Sequence, residues 1–232
     1  MSMDIFKDDV LAGKSILVTG GGSGLGLEIS KSLAARGAQV HICGRRANVL
    51  DAAVAEIGHG AKAHVCDIRD ADAIDAMVEA IWADGPLTGL VNNAAANFIA
   101  PTKDLSPRGF RAVTSTVMDG SFFVTLAVGK RWIAEGRKGS VVSNLVTWVW
   151  SGSAFVVPSA MAKTALHSMT MSLAVEWGKY GIRLNATAPG PFPTESAWEK
   201  LNPIPDAQSS ATGCDTVPLG RFGQMPELQN LI

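Results

Sequence analysis

Residues 15–26 read SILVTGGGSGLG and decide how the chain folds. Ser15 to Thr19 form a short apolar run typical of a buried β-strand, and the glycines after it allow a tight turn. Beyond the turn, Leu25, Ile29 and Leu33 fall on one stripe of a predicted helix. A strand, a glycine turn and a helix in this order are typical of a βαβ unit that binds a dinucleotide pyrophosphate at the helix N-terminus. The alternative is a turn that is rich in glycine for conformational reasons alone.

The same alternation of apolar runs and helical periods continues along the chain. Further strands are predicted at 40–43, 63–66, 90–91, 140–142 and 183–186. Alternating buried strands and helices predict an α/β fold, with a single Rossmann-type, doubly wound parallel sheet flanked by helices. We find no repeat or linker and predict one domain over residues 1–232, in which the Pro-, Ser- and Thr-rich stretch 189–218 is a mobile loop over the site.

The composition excludes several classes of function. The 232 residues carry a net charge of −1 with acids and bases interspersed, which argues against a nucleic-acid or membrane surface. Three cysteines without C-x-x-C spacing predict reduced thiols in the cytoplasm, without a disulfide framework or zinc site. No pair of histidines has metal-ligand spacing, residues 1–10 are too polar for a signal peptide, and no apolar run approaches the roughly 18 residues of a membrane span.

The end of the second predicted strand indicates which dinucleotide binds. An NAD site usually has a carboxylate there for the ribose 2′-hydroxyl. This chain has Arg45 and Arg46 instead, and no acid before Asp51. Two guanidinium groups suit the 2′-phosphate of NADP(H), which is therefore the favoured cofactor. The alternative is a solvated basic turn.

Two further positions follow strand ends. Asp67 is predicted to accept a hydrogen bond from the adenine amino group, or else to cap the helix that begins beyond it. Asn92 and Asn93 are predicted to line the floor of the cofactor site, or else to tie adjacent strands together.

Several of these motifs together resemble the short-chain dehydrogenase/reductase family. They are the glycine turn, Asn92-Asn93-Ala94, Lys163 on the helix after the fifth strand, and Pro189-Gly190 after the sixth. Within the family, nearly the whole chain is similar to the 2,4-dienoyl-CoA reductase branch. The stretches that carry this similarity are 92–98 (NNAAANF), 105–107 (LSP), 155–163 (FVVPSAMAK), 174–181 (AVEWGKYG) and 189–192 (PGPF).

The resemblance implies an NADPH-dependent reduction of an acyl-CoA substrate by a homo-oligomer, a tetramer in that branch. The implied catalytic residues are Lys163, Asn97, Ser159 and Trp148. The implied substrate-binding residues are Arg69, Phe98 and Ser106. The motifs and the resemblance together predict cofactor contacts from Thr19, Gly20, Gly21, Gly22, Ser23, Gly24, Leu25, Gly26, Arg45, Arg46, Asp67, Ile68, Asn93, Ala94, Lys163, Pro189, Gly190, Pro191 and Phe192.

The acid residue departs from the family pattern. Many members have a tyrosine four residues before the lysine, where this chain has Ser159, as the dienoyl-CoA branch does. Mitochondrial-type members of the branch use a tyrosine eleven residues before that serine, where this chain has Trp148. Because an indole donates a hydrogen bond without releasing its proton in the working pH range, a water ordered by Ser159 or Asp119 is expected to deliver the proton. The alternative for Trp148 and Trp150 is aromatic packing at a strand end.

Two other functions remain open at this point. One is another short-chain oxidoreductase that acts on a carbonyl or alcohol. The other is an NADPH-binding protein with little turnover. Residues 226–232 resemble the start of the family's penultimate helix, so the family's last, C-terminal strand is expected to be missing. We therefore expect either an incomplete chain or an exposed sheet edge. The lone tyrosine, Tyr180, is expected to be a contact at the surface or at a helix end.

Overall fold

The apolar runs form a sheet at the centre of the molecule. The computed structural model describes residues 6–194 and 217–232. The strands within these ranges are β1 (Ser15–Thr19), β2 (Gln39–Gly44), β3 (Lys62–Val65), β4 (Gly89–Asn92), β5 (Gly139–Asn144) and β6 (Ile182–Thr187). All pair in parallel, in the order β3-β2-β1-β4-β5-β6. The predicted parallel, doubly wound sheet is confirmed.

The strand order reverses between β1 and β4. In sheets of this kind the crevice outside the carboxyl ends of the strands, at the reversal, is where ligands bind. The carboxyl end of β1 is Thr19, and that of β4 is Asn92. The glycine turn and the asparagine turn therefore meet at one edge of the sheet.

Helices cover both faces of the sheet. They are α1 (Gly24–Ala35), α2 (Ala47–Ile57), α3 (Ala71–Asp84), α4 (Pro107–Thr114), α5 (Gly120–Ala134), α6 (Trp148–Ser151), α7 (Val157–Trp177) and α8 (Met225–Gln229). The apolar stripe of α3 (Ile74, Met77, Val78 and Ile81) is buried as its helical spacing predicts. It packs with α5 and the end of α7 on one face, while α1 and α2 cover the other.

The junction of α4 and α5 is a π-helical turn, Ser115–Asp119. The continuous helical segment Pro107–Ala134 has 28 residues and is long and apolar enough to cross a membrane, which sequence inspection did not predict. In the fold, 56% of its most apolar window is buried against the rest of the protein, as in the core helix of a globular protein. More than half of this apolar window therefore packs inside the protein.

The aromatic residues near residue 150 form a helical turn and not the end of a strand. Trp148 to Ser151 form the single-turn helix α6. Trp148 is half-buried, whereas Trp150 is 66% exposed and meets the ring of His167 edge-on, at 5.6 Å between centroids. Aromatic packing at a strand end is therefore the wrong interpretation of the alternating W-V-W pattern, which fits a strand and a short helical turn equally well.

Candidate active site

A cleft of about 510 Å³ lies at the carboxyl ends of the strands where their order reverses. Its walls come from β-strand ends, the glycine turn and the first turns of α1 and α7. The predicted site residues that line it are Gly20, Gly22, Ser23, Gly24, Leu25, Gly26, Arg45, Arg46, Asp67, Ile68, Asn93, Ala94, Asn97, Trp148, Ser159, Lys163, Pro189, Gly190 and Phe192. The cleft thus gathers the predicted cofactor and catalytic residues in one place.

The glycine turn is shaped for close approach. Gly20 has φ +67°, a conformation that favours glycine. A Cβ on Gly26 would lie 2.3 Å from the Gly20 carbonyl oxygen and 2.4 Å from Nδ2 of Asn93, so no larger residue fits. Ser23, at the N-cap of α1, makes no capping hydrogen bond with its side chain. The first N–H groups of α1 therefore remain for a ligand, and the cradle fits an anionic pyrophosphate.

Thr19 and Gly21 lie behind the cleft wall and hold the glycine turn in place. Thr19 is fully buried, and its hydroxyl oxygen accepts hydrogen bonds from the backbone N–H groups of Asn93 and Ala94, both at 3.0 Å. A Cβ on Gly21 would lie 2.5 Å from the side chain of Ile42. These two residues hold the glycine turn against β2 and β4.

A chain of hydrogen bonds links the glycine turn to the lysine. Asn93 Nδ2 donates to the Thr19 carbonyl at 3.1 Å, and Asn144 Nδ2 donates to Asn93 Oδ1 at 3.0 Å. The carbonyl oxygen of Asn144 in turn accepts from Lys163 Nζ. Asn144, the last residue of β5, was not predicted from the sequence, because its contacts with Asn93 and Lys163 form only when β4, β5 and α7 pack together. Asn92, by contrast, is buried and donates to Thr125, so it ties β4 to α5.

The electrostatic state of Lys163 follows from its burial. The side chain is 6% exposed, and burial lowers its pKa from 10.5 to about 8. No carboxylate is among the causes of that shift. Lys163 therefore presents a cation held by a backbone carbonyl and is suited to donate to hydroxyl groups of a ligand.

The opposite end of the cleft carries an exposed basic pair. Arg45 and Arg46 both line it beside Asp67. Asp67 accepts from Nε of Arg69 at 2.9 and 3.0 Å, and this hydrogen-bonded guanidinium holds the pKa of the Asp67 carboxyl below its usual value. Asp67 does not cap the next helix, because Asp70 does so, accepting from the N–H groups of Asp72 and Ala73. The capping alternative for Asp67 is therefore wrong.

Two thiols lie under the end of the cleft that holds Arg45 and Arg46. Cys43 and Cys66 line the cleft and are buried free cysteines. Burial raises the pKa of Cys43 to about 12 and that of Cys66 to about 11. Both are neutral at physiological pH and act as small apolar side chains in the floor. Cys214 lies outside the described residues.

The end of the cleft that holds Lys163 also holds the groups predicted to act on a substrate. Asn97 Oδ1 accepts from the Phe98 N–H at 2.9 Å, which leaves the Asn97 amide N–H₂ to donate to a ligand. Trp148 and the buried Ser159 line the same cleft as Lys163. Thr116, from the π-helical turn, also lines it and was missed from the sequence. Asp119, the acid considered for ordering a water, instead lines a separate groove with Met118 and Phe122.

Besides Thr19 and Gly21, four predicted contacts are not in the cleft wall, for reasons visible in the structure. Arg69 is paired with Asp67, and the Ser106 hydroxyl caps α4 by accepting from the Gly109 N–H at 3.1 Å. Phe98 packs against a small apolar cluster, and the carbonyl of Pro191 accepts from the Gly223 N–H at 3.0 Å. Of the predicted mobile loop 189–218, the stretch 195–216 lies outside the described residues. These contacts stay predictions.

Within residues 6–194 and 217–232, no three His, Cys, Asp or Glu side chains gather as metal ligands would. His41 Nδ1 and His64 Nε2 lie 3.0 Å apart on β2 and β3, and neither residue lines the cleft. Tyr180 sits in a 3₁₀ turn after α7, is 42% exposed and lies 5.0 Å beneath the Lys179 ammonium.

A doubly wound parallel sheet with a glycine cradle at its switch point defines the class of dinucleotide-binding proteins. The short chain dehydrogenase family matches residues 14–203, and the chain belongs to it. This family binds a nicotinamide cofactor.

Comparisons with individual proteins extend over nearly the full chain. A Bacillus subtilis protein named probable 2,4-dienoyl-CoA reductase is 40% identical over 94% of this chain and 87% of its own length. The gluconate 5-dehydrogenase of Gluconobacter oxydans is 36% identical over 97% of this chain and 87% of its own length. A crystal structure of a short chain dehydrogenase from Bacillus anthracis superposes with a TM-score of 0.83 at 38% identity, over 94% of this chain and 86% of that one.

Proposed function

We propose that this chain is an NADPH-dependent reductase of conjugated acyl-CoA thioesters, 2,4-dienoyl-CoA or enoyl-CoA. The observation that carries the proposal is that Ser159, Trp148 and Lys163 line one cleft. Asn97 lines the same cleft, with its Oδ1 bonded to the Phe98 N–H and its amide N–H₂ left to donate. Reduction of a ketone needs an acid at the nascent alkoxide, and a serine is a poor one. Reduction of a conjugated thioester first requires a hydrogen-bond donor to the thioester oxygen. The similarity to the Bacillus subtilis protein supports the same choice.

We assign the cofactor contacts to residues at the two ends of the cleft. The N–H groups at the start of α1 bind the pyrophosphate, and Lys163 donates to the nicotinamide ribose hydroxyls. Arg45 and Arg46 bind the 2′-phosphate, while Asp67 accepts from the adenine amino group. The bound cofactor supplies a hydride to the substrate.

The 2′-phosphate contact gives a direct prediction. Arg45→Ala and Arg46→Ala are each expected to weaken NADPH binding about 10- to 100-fold, because a hydrogen bond to a charged group contributes about 1.5–3 kcal/mol. Both variants should bind NADH as the wild type does, since NADH lacks that phosphate. Fluorescence titration of both cofactors measures this. Equal affinity of the wild type for NADH and NADPH would exclude the assignment.

Asn97 has the role of stabilising charge on the substrate. As the conjugated system is reduced, negative charge collects on the thioester oxygen. The Asn97 amide is fixed by its own carbonyl oxygen, which accepts from the Phe98 N–H, so its N–H₂ group is pre-oriented. A donor held in this way is worth about 10²–10³ in rate.

Trp148 is the residue that limits protonation. Its indole donates a hydrogen bond but does not give up a proton, so carbon must be protonated from water. Positioned acid catalysis contributes about 10²–10⁴ in rate. The wild type is therefore expected to be a slow reductase.

Restoring an acid at position 148 tests this account of the protonation step. Trp148→Tyr is expected to raise kcat for a 2,4-dienoyl-CoA at least about tenfold, because a phenol can both donate to the oxygen and release a proton. NADPH absorbance reports turnover, and Trp148→Phe serves as the control that changes the ring without adding a hydroxyl. If the wild type turns over at ordinary enzymatic rates and the tyrosine variant is slower, the account is wrong.

A further inference from the structure

Three consecutive hydroxyl residues span the end of α4 and the start of the turn between α4 and α5. Thr114, Ser115 and Thr116 each donate to the backbone carbonyl four residues earlier, at 3.2, 2.5 and 3.1 Å. Side-chain bonds of this kind compete with the helix ladder and loosen it. The π-helical turn Ser115–Asp119 begins among them. Single π-turns inside α-helices are frequent at functional sites.

Thr116 is the member of this group that lines the cleft. The next residue, Val117, is fully buried in a cluster with Leu145 and Ala162. Leu145 follows Asn144, and Ala162 precedes Lys163. Thr116 therefore lies at the end of the cleft that holds Lys163, far along the sheet from the Arg45 end.

The hydrogen bond that Thr116 makes decides what it offers to the cleft. Its hydroxyl hydrogen is engaged with the Ala112 carbonyl, so its oxygen presents lone pairs. A group of this kind accepts a hydrogen bond from a water and narrows the directions in which that water's second hydrogen can point. Asp119 cannot do this, because it lines the other groove.

We propose that Thr116 is a positioning residue for the protonation step, which rests on the proposed function. Its Oγ1 accepts one hydrogen of a water and directs the other toward the substrate carbon that is protonated. The C–H bond forms as the water O–H bond breaks, and the electron pair comes from the dienolate left by reduction. The hydroxide that remains takes a proton from solvent through the open cleft, so the net proton consumed comes from solvent.

Thr116→Val removes the hydroxyl at nearly constant volume and is expected to lower kcat about 10- to 100-fold. The KM for the acyl-CoA and the affinity for NADPH should stay within about twofold of the wild type. The melting temperature should stay within a few degrees of it. Thr116→Ser should recover most of the rate. Thr164→Val is the matched control, since Thr164 on α7 makes the same bond to its i−4 carbonyl at 2.9 Å but does not line the cleft.

A second readout does not depend on rate. In D₂O the wild type should place deuterium on one face of one carbon, because a held water delivers it, whereas Thr116→Val should give mixed positions or faces by NMR of the product. If the wild type is active and Thr116→Val keeps both its kcat and its stereospecific labelling, Thr116 has no such role and the proposed function stands. If the wild type binds NADPH but reduces no dienoyl- or enoyl-CoA, both proposals are overturned.

Discussion

Lys163→Met is expected to give a more stable protein that binds NADPH poorly. Because burial lowers the pKa of Lys163 to about 8, the folded protein holds the charged form at a cost at pH 7. Methionine fills the same space without charge. After the lost bond to the Asn144 carbonyl is allowed for, the free energy of unfolding should rise by about 1–3 kcal/mol. The affinity for NADPH should fall about 10- to 100-fold, since the donor to the ribose is gone.

The pH dependence of this effect has a definite sign. Between about pH 8 and the unfolded pKa of 10.5, the unfolded chain keeps a proton on Lys163 that the folded chain has lost. The stability of the wild type therefore rises with pH relative to the variant, and most of the difference should vanish by about pH 10. Urea unfolding at both pH values measures it, with exposed Lys130→Met on α5 as a control expected within about 0.5 kcal/mol. A variant that is less stable than the wild type at pH 7 would contradict the assignment of a costly buried cation.

Gly26→Ala is expected to abolish cofactor binding. The added methyl group would sit 2.3 Å from the Gly20 carbonyl oxygen and 2.4 Å from Asn93 Nδ2, and neither group can move without breaking the link between the glycine turn and β4. The backbone must shift, which moves the α1 N–H groups from the pyrophosphate. We expect NADPH affinity to fall more than about 100-fold and the free energy of unfolding to fall by about 1–3 kcal/mol.

The matched control for this substitution is Gly178→Ala. Gly178 begins the 3₁₀ turn after α7, and a Cβ there meets nothing within 4 Å. Its NADPH affinity should equal that of the wild type. Tight NADPH binding by Gly26→Ala would show that the glycine turn does not hold the pyrophosphate.

The sequence predicted the fold well because its signals are local and periodic. The buried stripe on α3 follows directly from the spacing of Ile74, Met77, Val78 and Ile81. The first strand was predicted with its observed bounds, Ser15–Thr19, since a glycine run ends it sharply. The turn at Trp148 to Ser151 was less predictable, because four residues are too few to separate a period of two from one of 3.6.

Parts of the site depend on contacts that no local pattern contains. Asn144 joins Asn93 to Lys163 only once β4, β5 and α7 are packed together. The pairing of Asp67 with Arg69 could have been suspected from their separation of two residues, but the capping of α3 by Asp70 could not be distinguished from capping by Asp67. Thr116 had a usable signal, three hydroxyl residues in succession between the apolar pairs Ala112-Val113 and Val117-Met118.

The measurement that tests the central proposal most directly is NADPH consumption by the purified wild-type protein. A 2,4-dienoyl-CoA, an enoyl-CoA and a set of ketones that includes 5-ketogluconate would be supplied in parallel, with NADPH and NADH. The proposal predicts slow but saturable consumption of NADPH with a conjugated thioester, a product with one fewer double bond, and little consumption with the ketones. Turnover confined to the ketones, or NADPH binding without consumption in any arm, would contradict it.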